Sequence, residues 1–155
     1  MKDLWFEDLS IGFGVRSEPI LLTRDAIIRF AGEFDPQPFH LSEEGAANSF
    51  FATLVASGAH SYALTMRLGV NAGVFTGNAI AGLGVDEMRF LKPLLPESKL
   101  SATFTVKSLR ESRSKPHLGI VHWLAETYDD NGVRVFSAII KNLVLRDPQR
   151  QIVSE

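Results

Sequence analysis

Asp35 and His40 stand five residues apart in the stretch Phe30-Ala31-Gly32-Glu33-Phe34-Asp35-Pro36-Gln37-Pro38-Phe39-His40. An acid and an imidazole held at hydrogen-bonding separation can share one water and move its proton, which is general acid–base chemistry. Pro36 and Pro38 fix their own φ angles and drive the residues before them, Asp35 and Gln37, out of the α region. The spacer is expected to be a stiff loop, which suits it to keeping two side chains at a set distance. The same residues have a plain structural use, with Asp35 ending a helix through an Asp-Pro turn and His40 on a surface loop. Spacing by itself leaves both readings open.

Gly58 is the second candidate. The segment Ser57-Gly58-Ala59-His60-Ser61 opens a helical pattern that continues to Val70, with Ser57 as the expected N-cap. A backbone amide in the first turn of a helix combines an unpaired donor with the positive end of the dipole, and glycine lets a ligand approach it closely. Such a group suits negative charge developing on an oxygen. Close packing of helix on sheet is the alternative use of Gly58. His60, within one turn of Gly58, either lines the same site or is a hydrogen-bonded structural histidine. His117 and His122 have no acid at fixed spacing, and Phe104, Trp123 and Phe136 are expected in the core. No phosphate loop and no Cys/His metal spacing is present, so no metal site is expected.

The elements that must position these residues follow from periodicity. Val15 to Leu22 reads as one strand, confined by Pro19 to an edge or to a ladder position that needs no donor. Thr23 caps a helix carrying Ala26, Ile27, Phe30 and Ala31 on one face, and this helix delivers Asp35. Ser42 caps a short turn through Ala47. The helix from Ser57 mixes apolar residues around most of its faces, as a buried helix does, with only Arg67 and Asn71 suggesting contact with water or a charged ligand. Four alternating stretches follow, Ile80 to Phe90, Lys99 to Ser108, His117 to Thr127 and Val133 to Leu145, and each is expected as a strand. Asp129-Asp130-Asn131-Gly132 signals a hairpin with a type I′ turn, making the last two strands antiparallel neighbours. Asp147 to Glu155 is expected to be a frayed tail.

Phe30, Asp35, Pro38, His40 and Ala46 fall in register with the signature of the MaoC-like dehydratases, the family that includes the (R)-specific enoyl-CoA hydratases, and the stretch resembles that signature. Phe34, Gln37 and Phe39 depart from it, standing where the family carries Gly, Asn and an aliphatic residue. Ser57-Gly58-Ala59 resembles the family's second conserved region, and Phe90-Leu91-Lys92-Pro93 resembles its strand ending in Lys-Pro. The resemblance implies an α+β hot-dog fold, an antiparallel sheet wrapped around a long central helix. It implies catalytic roles for Asp35, His40 and Gly58, with Ser57, Ala59, Phe39 and Lys92 contacting substrate. The implied activity is hydration or dehydration of a double bond conjugated to a thioester of CoA or acyl-carrier protein. No cofactor is expected beyond the CoA or phosphopantetheine of the substrate itself. A hot-dog acyl-CoA thioesterase and a non-catalytic acyl-thioester-binding subunit are the alternatives. The family also implies a homodimer.

Composition bounds the partners. A formal charge of −2 with no basic block gives no footprint for nucleic acid or an anionic membrane. The chain has no cysteine, which excludes disulfides and thiolate chemistry. No apolar run approaches the roughly 18 residues that span a bilayer and no signal segment opens the chain, so a cytoplasmic location is expected. At 155 residues a single domain is expected, over residues 1–147, with 148–155 as its tail.

Overall fold

Residues 3–151 are described by the computed structural model. A turn of 3-10 helix (Phe6–Asp8) precedes β1 (Gly14–Arg16) and β2 (Ile20–Leu22). The single strand expected from Val15 to Leu22 is thus two. Both pair with β4 (Ser98–Glu111), β1 at Thr103 to Thr105 and β2 at Ser98 to Leu100. Between them the Ser17 amide still donates to the Ala102 carbonyl at 2.9 Å, and the Ser17 hydroxyl accepts from the Ala102 amide at 2.9 Å. The ladder therefore lapses only at Glu18 and Pro19, where the proline has no N–H to give.

Helix α1 (Arg24–Phe34) is capped as expected, the Thr23 hydroxyl accepting from the Ala26 amide at 3.2 Å. Two short helices follow, α2 (Pro38–Leu41) and α3 (Glu43–Ala47), the second capped by Ser42. The region expected as a stiff loop through His40 is helical in its second part. Pro38 occupies the first helical position, where its missing N–H costs nothing and its fixed φ is already helical.

Helix α4 (Gly58–Asn71) then crosses a sheet of order β1-β4-β5-β6-β3, with β3 (Ala79–Phe90), β5 (Leu118–Tyr128) and β6 (Arg134–Leu145). Its buried residues, His60, Ser61, Leu64, Thr65, Leu68 and Gly69, repeat at helical spacing. The helix is not apolar-buried on every side: Arg67, Val70 and Asn71 face solvent, because the sheet covers one face only. Alternate residues of β4 (Leu100, Ala102, Phe104, Val106) and β5 (Val121, Trp123, Ala125) fill the space beneath it, all at most 1% exposed. Each large side chain so buried contributes roughly 1.5–3 kcal/mol. Thr65 and Thr127 join helix to sheet through hydroxyls 2.7 Å apart. This is the hot-dog architecture.

The hairpin between β5 and β6 forms where expected but with a different turn. The Gly132 amide donates to the Asp129 carbonyl at 3.0 Å, and Gly132 has φ +74°, while φ at Asn131 is not positive. A type I turn followed by one left-handed glycine, a bulged hairpin, replaces type I′. Asp129 selects it: its Oδ1 accepts from the Asn131 amide at 3.0 Å and the Val133 amide at 2.8 Å. After β6, the first part of the expected tail is ordered as α5 (Pro148–Gln151), tied back where Arg150 meets Asp8 at 2.7 Å. Residues 152–155 of that tail lie outside the described residues.

An added Cβ at Gly132 meets no atom within 4 Å, so the backbone alone sets the cost of substitution there. Gly132→Ala should lower the unfolding free energy by about 1–2 kcal/mol, the cost of a left-handed L-residue. Urea denaturation checks this. An unchanged midpoint would mean that residue 132 is free to leave the left-handed region.

Candidate active site

Asp35 is delivered by the end of α1. Its amide completes the last helical bond to the Ala31 carbonyl at 2.9 Å, and its φ of −154° and ψ of 70° turn the chain out of the helix. Pro36 follows and prevents continuation. His40, on α2, is 5% exposed. Its Nδ1 lies 2.6 Å from the Val55 carbonyl oxygen. A carbonyl can only accept, so Nδ1 carries the hydrogen, and in the neutral ring Nε2 presents a lone pair. That lone pair faces Asp35 Oδ2 across 3.6 Å. The gap is too long for a direct hydrogen bond, and the carboxylate is also an acceptor. One water donating to both is the species these two atoms can hold together.

The carboxylate is itself aimed. Ser57 Oγ donates to Asp35 Oδ2 at 2.6 Å, and Gln37 Nε2 donates to Oδ1 at 2.8 Å. The Ser57 hydroxyl, and then the Gln37 amide, hold the Asp35 carboxyl below its usual range against the opposing effect of partial burial. Ser57 is 1% exposed and caps α4 as expected, its Oγ accepting from the Ala59 amide at 3.1 Å. The neighbouring Gly58 amide has no hydrogen-bond partner among the described residues. One hydroxyl thus connects the carboxylate to the open end of the central helix.

A pocket of about 600 Å³ gathers Asp35, His40, Phe39, Gly58, Ala59 and Lys92 on its walls. That volume lies within the usual range for small-molecule sites, about 300–1,000 Å³. Ser57 is brought to the site from behind the wall rather than lining it. Lys92 is exposed at the rim. His60 is not on this wall: it faces the other side of α4, stacked on Phe30 with ring centroids 4.3 Å apart. Burial, with Arg29 nearby, lowers its pKa to about 4, so the ring is neutral.

Several contributors leave little trace in the sequence. The Val55 carbonyl fixes the His40 tautomer, and a backbone acceptor has no side-chain signal. Glu43 pins the segment leading to Val55, accepting from the Leu54 amide at 2.9 Å and from Arg24 at 2.6 Å. Phe51 lines the pocket and packs on Phe39 at 5.4 Å between centroids. Phe90, beside the Lys-Pro stretch, covers Gly58: an added Cβ there would lie 2.9 Å from its ring. The packing use of Gly58 and its openness to the pocket therefore coexist.

The family model described as MaoC like domain matches residues 10–127. The uncharacterized protein YdeM of Bacillus subtilis (strain 168) is 33% identical over 141 residues, covering 90% of this chain and 98% of YdeM. The crystal structure of the MaoC-like dehydratase from Rhodospirillum rubrum is 40% identical with a TM-score of 0.87, over 94% of this chain and 99% of that one. The R-hydratase PhaJ1 from Pseudomonas aeruginosa superimposes with a TM-score of 0.73 at 19% identity, over 94% and 88% of the two chains, a likeness of fold. Since the family match takes in both Asp35 and the whole of α4, and most of the sheet beneath it, the chain belongs to the MaoC-like domain family.

Proposed function

We propose that the protein is an (R)-type enoyl-thioester hydratase, run in either direction, acting on a CoA or acyl-carrier-protein thioester. The observation that carries this reading is the pair of acceptors, Asp35 Oδ2 and His40 Nε2, 3.6 Å apart in the pocket that also holds the free Gly58 amide. A water donating one hydrogen to each acceptor presents an oxygen lone pair outward, toward the β carbon of a bound enoyl thioester. As that oxygen bonds to the β carbon, Asp35 takes one water proton and the π electrons move to the thioester oxygen. The Gly58 amide stabilises the enolate so formed. Asp35 then returns its proton to the α carbon, the thioester carbonyl reforms, and the carboxylate is regenerated. Dehydration is the reverse. The CoA or phosphopantetheine is part of the substrate, and no redox step occurs.

The same reading includes a homodimer. Strand β3 ends the sheet, paired to β6 on one side. It exposes Ile80 (49%), Leu83 (49%) and Phe90 (58%). A twelve-residue edge with this much apolar surface is a template for pairing with another copy. Phe90 belongs both to that edge and to the pocket, which supports an acyl channel running between protomers.

Asp35→Asn keeps the size and hydrogen bonding of the side chain but removes the base, so hydration should fall roughly 10²–10⁴-fold. His40→Gln should lose a comparable factor, and the double variant little more than the worse single one, because both serve one water. Loss of enoyl-thioester absorbance measures this, with free thiol followed in parallel. Thiol release without any change at the double bond would replace the hydratase by a thioesterase. Neither signal on a broad panel would leave a binding subunit.

Ser57→Ala tests the aiming of the carboxylate. Asp35 titrates below the ordinary carboxylate value of 3.8 chiefly through the Ser57 donor, so the acid limb of the wild-type rate profile should lie below that pH. Removing the donor raises the Asp35 pKa and moves the limb upward. The part of the stability that comes from this lowering is present above pH 3.8 and is lost as pH falls through the native value. Loss of the cap should cost about 1 kcal/mol. Neutral-pH turnover should drop by about tenfold to a hundredfold, the scale of misplacing a catalytic group. An unmoved acid limb would detach Asp35 from the rate.

Sedimentation at micromolar concentration should give a dimer. A monomer of full activity would contradict the placement of the channel at the β3 edge.

A further inference from the structure

Phe90 lines the pocket beside Gly58. It is the last residue of β3 and the Cα partner of Phe136 across the ladder to β6. The two rings lie 5.9 Å apart at 41°, and Phe136 is fully buried, so Phe90 is braced against the core. The tip of the Phe90 ring points at the first turn of α4, its Cζ, Cε2 and Cε1 lying 2.9, 3.0 and 3.1 Å from an ideal Cβ on Gly58. Phe90 remains 58% exposed and is among the residues that line the pocket. Ala59, beside Gly58, is small and exposed, so bulk next to the amide comes from the sheet and not from the helix.

Other aromatic rings line the same pocket. Phe39 meets His40 edge-on at 4.5 Å and tilts against Phe51 at 5.4 Å. Rings offer edge and face contacts that reward a flat, rigid partner. A flexible alkyl chain gains less from them and gives up rotamer freedom at each bond that is held.

We propose that Phe90, together with Phe39 and Phe51, selects an acyl group bearing an aryl ring over a straight alkyl chain of equal carbon count. This rests on the reading of the pocket as an enoyl-thioester site. Phe90 is then a specificity-determining residue, with its ring as one wall of the slot beside the thioester oxygen.

Two saturated, unreactive thioesters, phenylpropanoyl-CoA and nonanoyl-CoA, test the slot by calorimetric titration of the wild-type protein and of Phe90→Ala and Phe90→Leu. Wild type should bind the aryl thioester about tenfold more tightly, which is the scale of aromatic pairing. Phe90→Ala should reduce that preference to about threefold or less, and Phe90→Leu, which keeps bulk without a ring, should fall between. Equal binding by wild type, a preference for nonanoyl-CoA, or a preference unmoved in Phe90→Ala would overturn the proposal. Unfolding curves confirm that each variant is folded. Turnover of the matching phenylpropenoyl and nonenoyl thioesters separates the two readings. Both turned over with equal kcat/KM would overturn the selection and leave the hydratase standing. An aryl preference in binding with no turnover of either would support the selection and sink the hydratase.

Discussion

The Ser57 hydroxyl is shared between two jobs, and the site depends on both. Its proton goes to Asp35 Oδ2 at 2.6 Å, while its lone pair takes the Ala59 amide at 3.1 Å. A hydrogen bond to a charged group contributes roughly 1.5–3 kcal/mol and an N-cap about 1 kcal/mol, sums that are small beside the burial of the core. The hydroxyl therefore does little to decide whether the chain folds. It decides where the carboxylate sits relative to the open end of α4, and that distance is what the proposed proton transfer and enolate stabilisation require in common.

The frame behind this contact is stiff where it needs to be. On the sheet side, Phe90 rests on Phe136 and Thr65 bonds Thr127, so one wall of the pocket is an extension of the core. On the other side the wall is built from short elements, α2, α3 and the segment to Val55, and these are held by polar contacts. Glu43 alone accepts from Arg24, Thr53 and the Leu54 amide. His40 belongs to this second wall, buried at 5% exposure and fixed in its tautomer by a main-chain carbonyl.

Local signals were legible and long-range ones were not. Thr23, Ser42 and Ser57 announce helix starts because a cap is an interaction between neighbours, and β4 and β5 announce themselves by alternation. The Asp35 and His40 pairing could be read from the family signature, since their spacing alone leaves it open. The tautomer of His40 could not, because it depends on residue 55. The turn at Asp129 misled because Asn-Gly favours type I′, whereas the Asp129 carboxylate, bonded to two amides, favours the bulged form. Val15 to Leu22 reads as one strand, and only its pairing to β4 shows where Pro19 breaks it. The order in Pro148–Gln151 comes from a contact between Arg150 and Asp8, near opposite ends of the chain.

The central claim is that Asp35 and His40 direct a water to carbon rather than to the thioester. Running the reaction in water labelled with heavy oxygen, and analysing both thioester and free acid by mass spectrometry, tests it most directly. Label on the β-hydroxyl of an intact thioester is the expected result, abolished together with turnover in Asp35→Asn. Label in the carboxylate of released acid, with the double bond untouched, would contradict it.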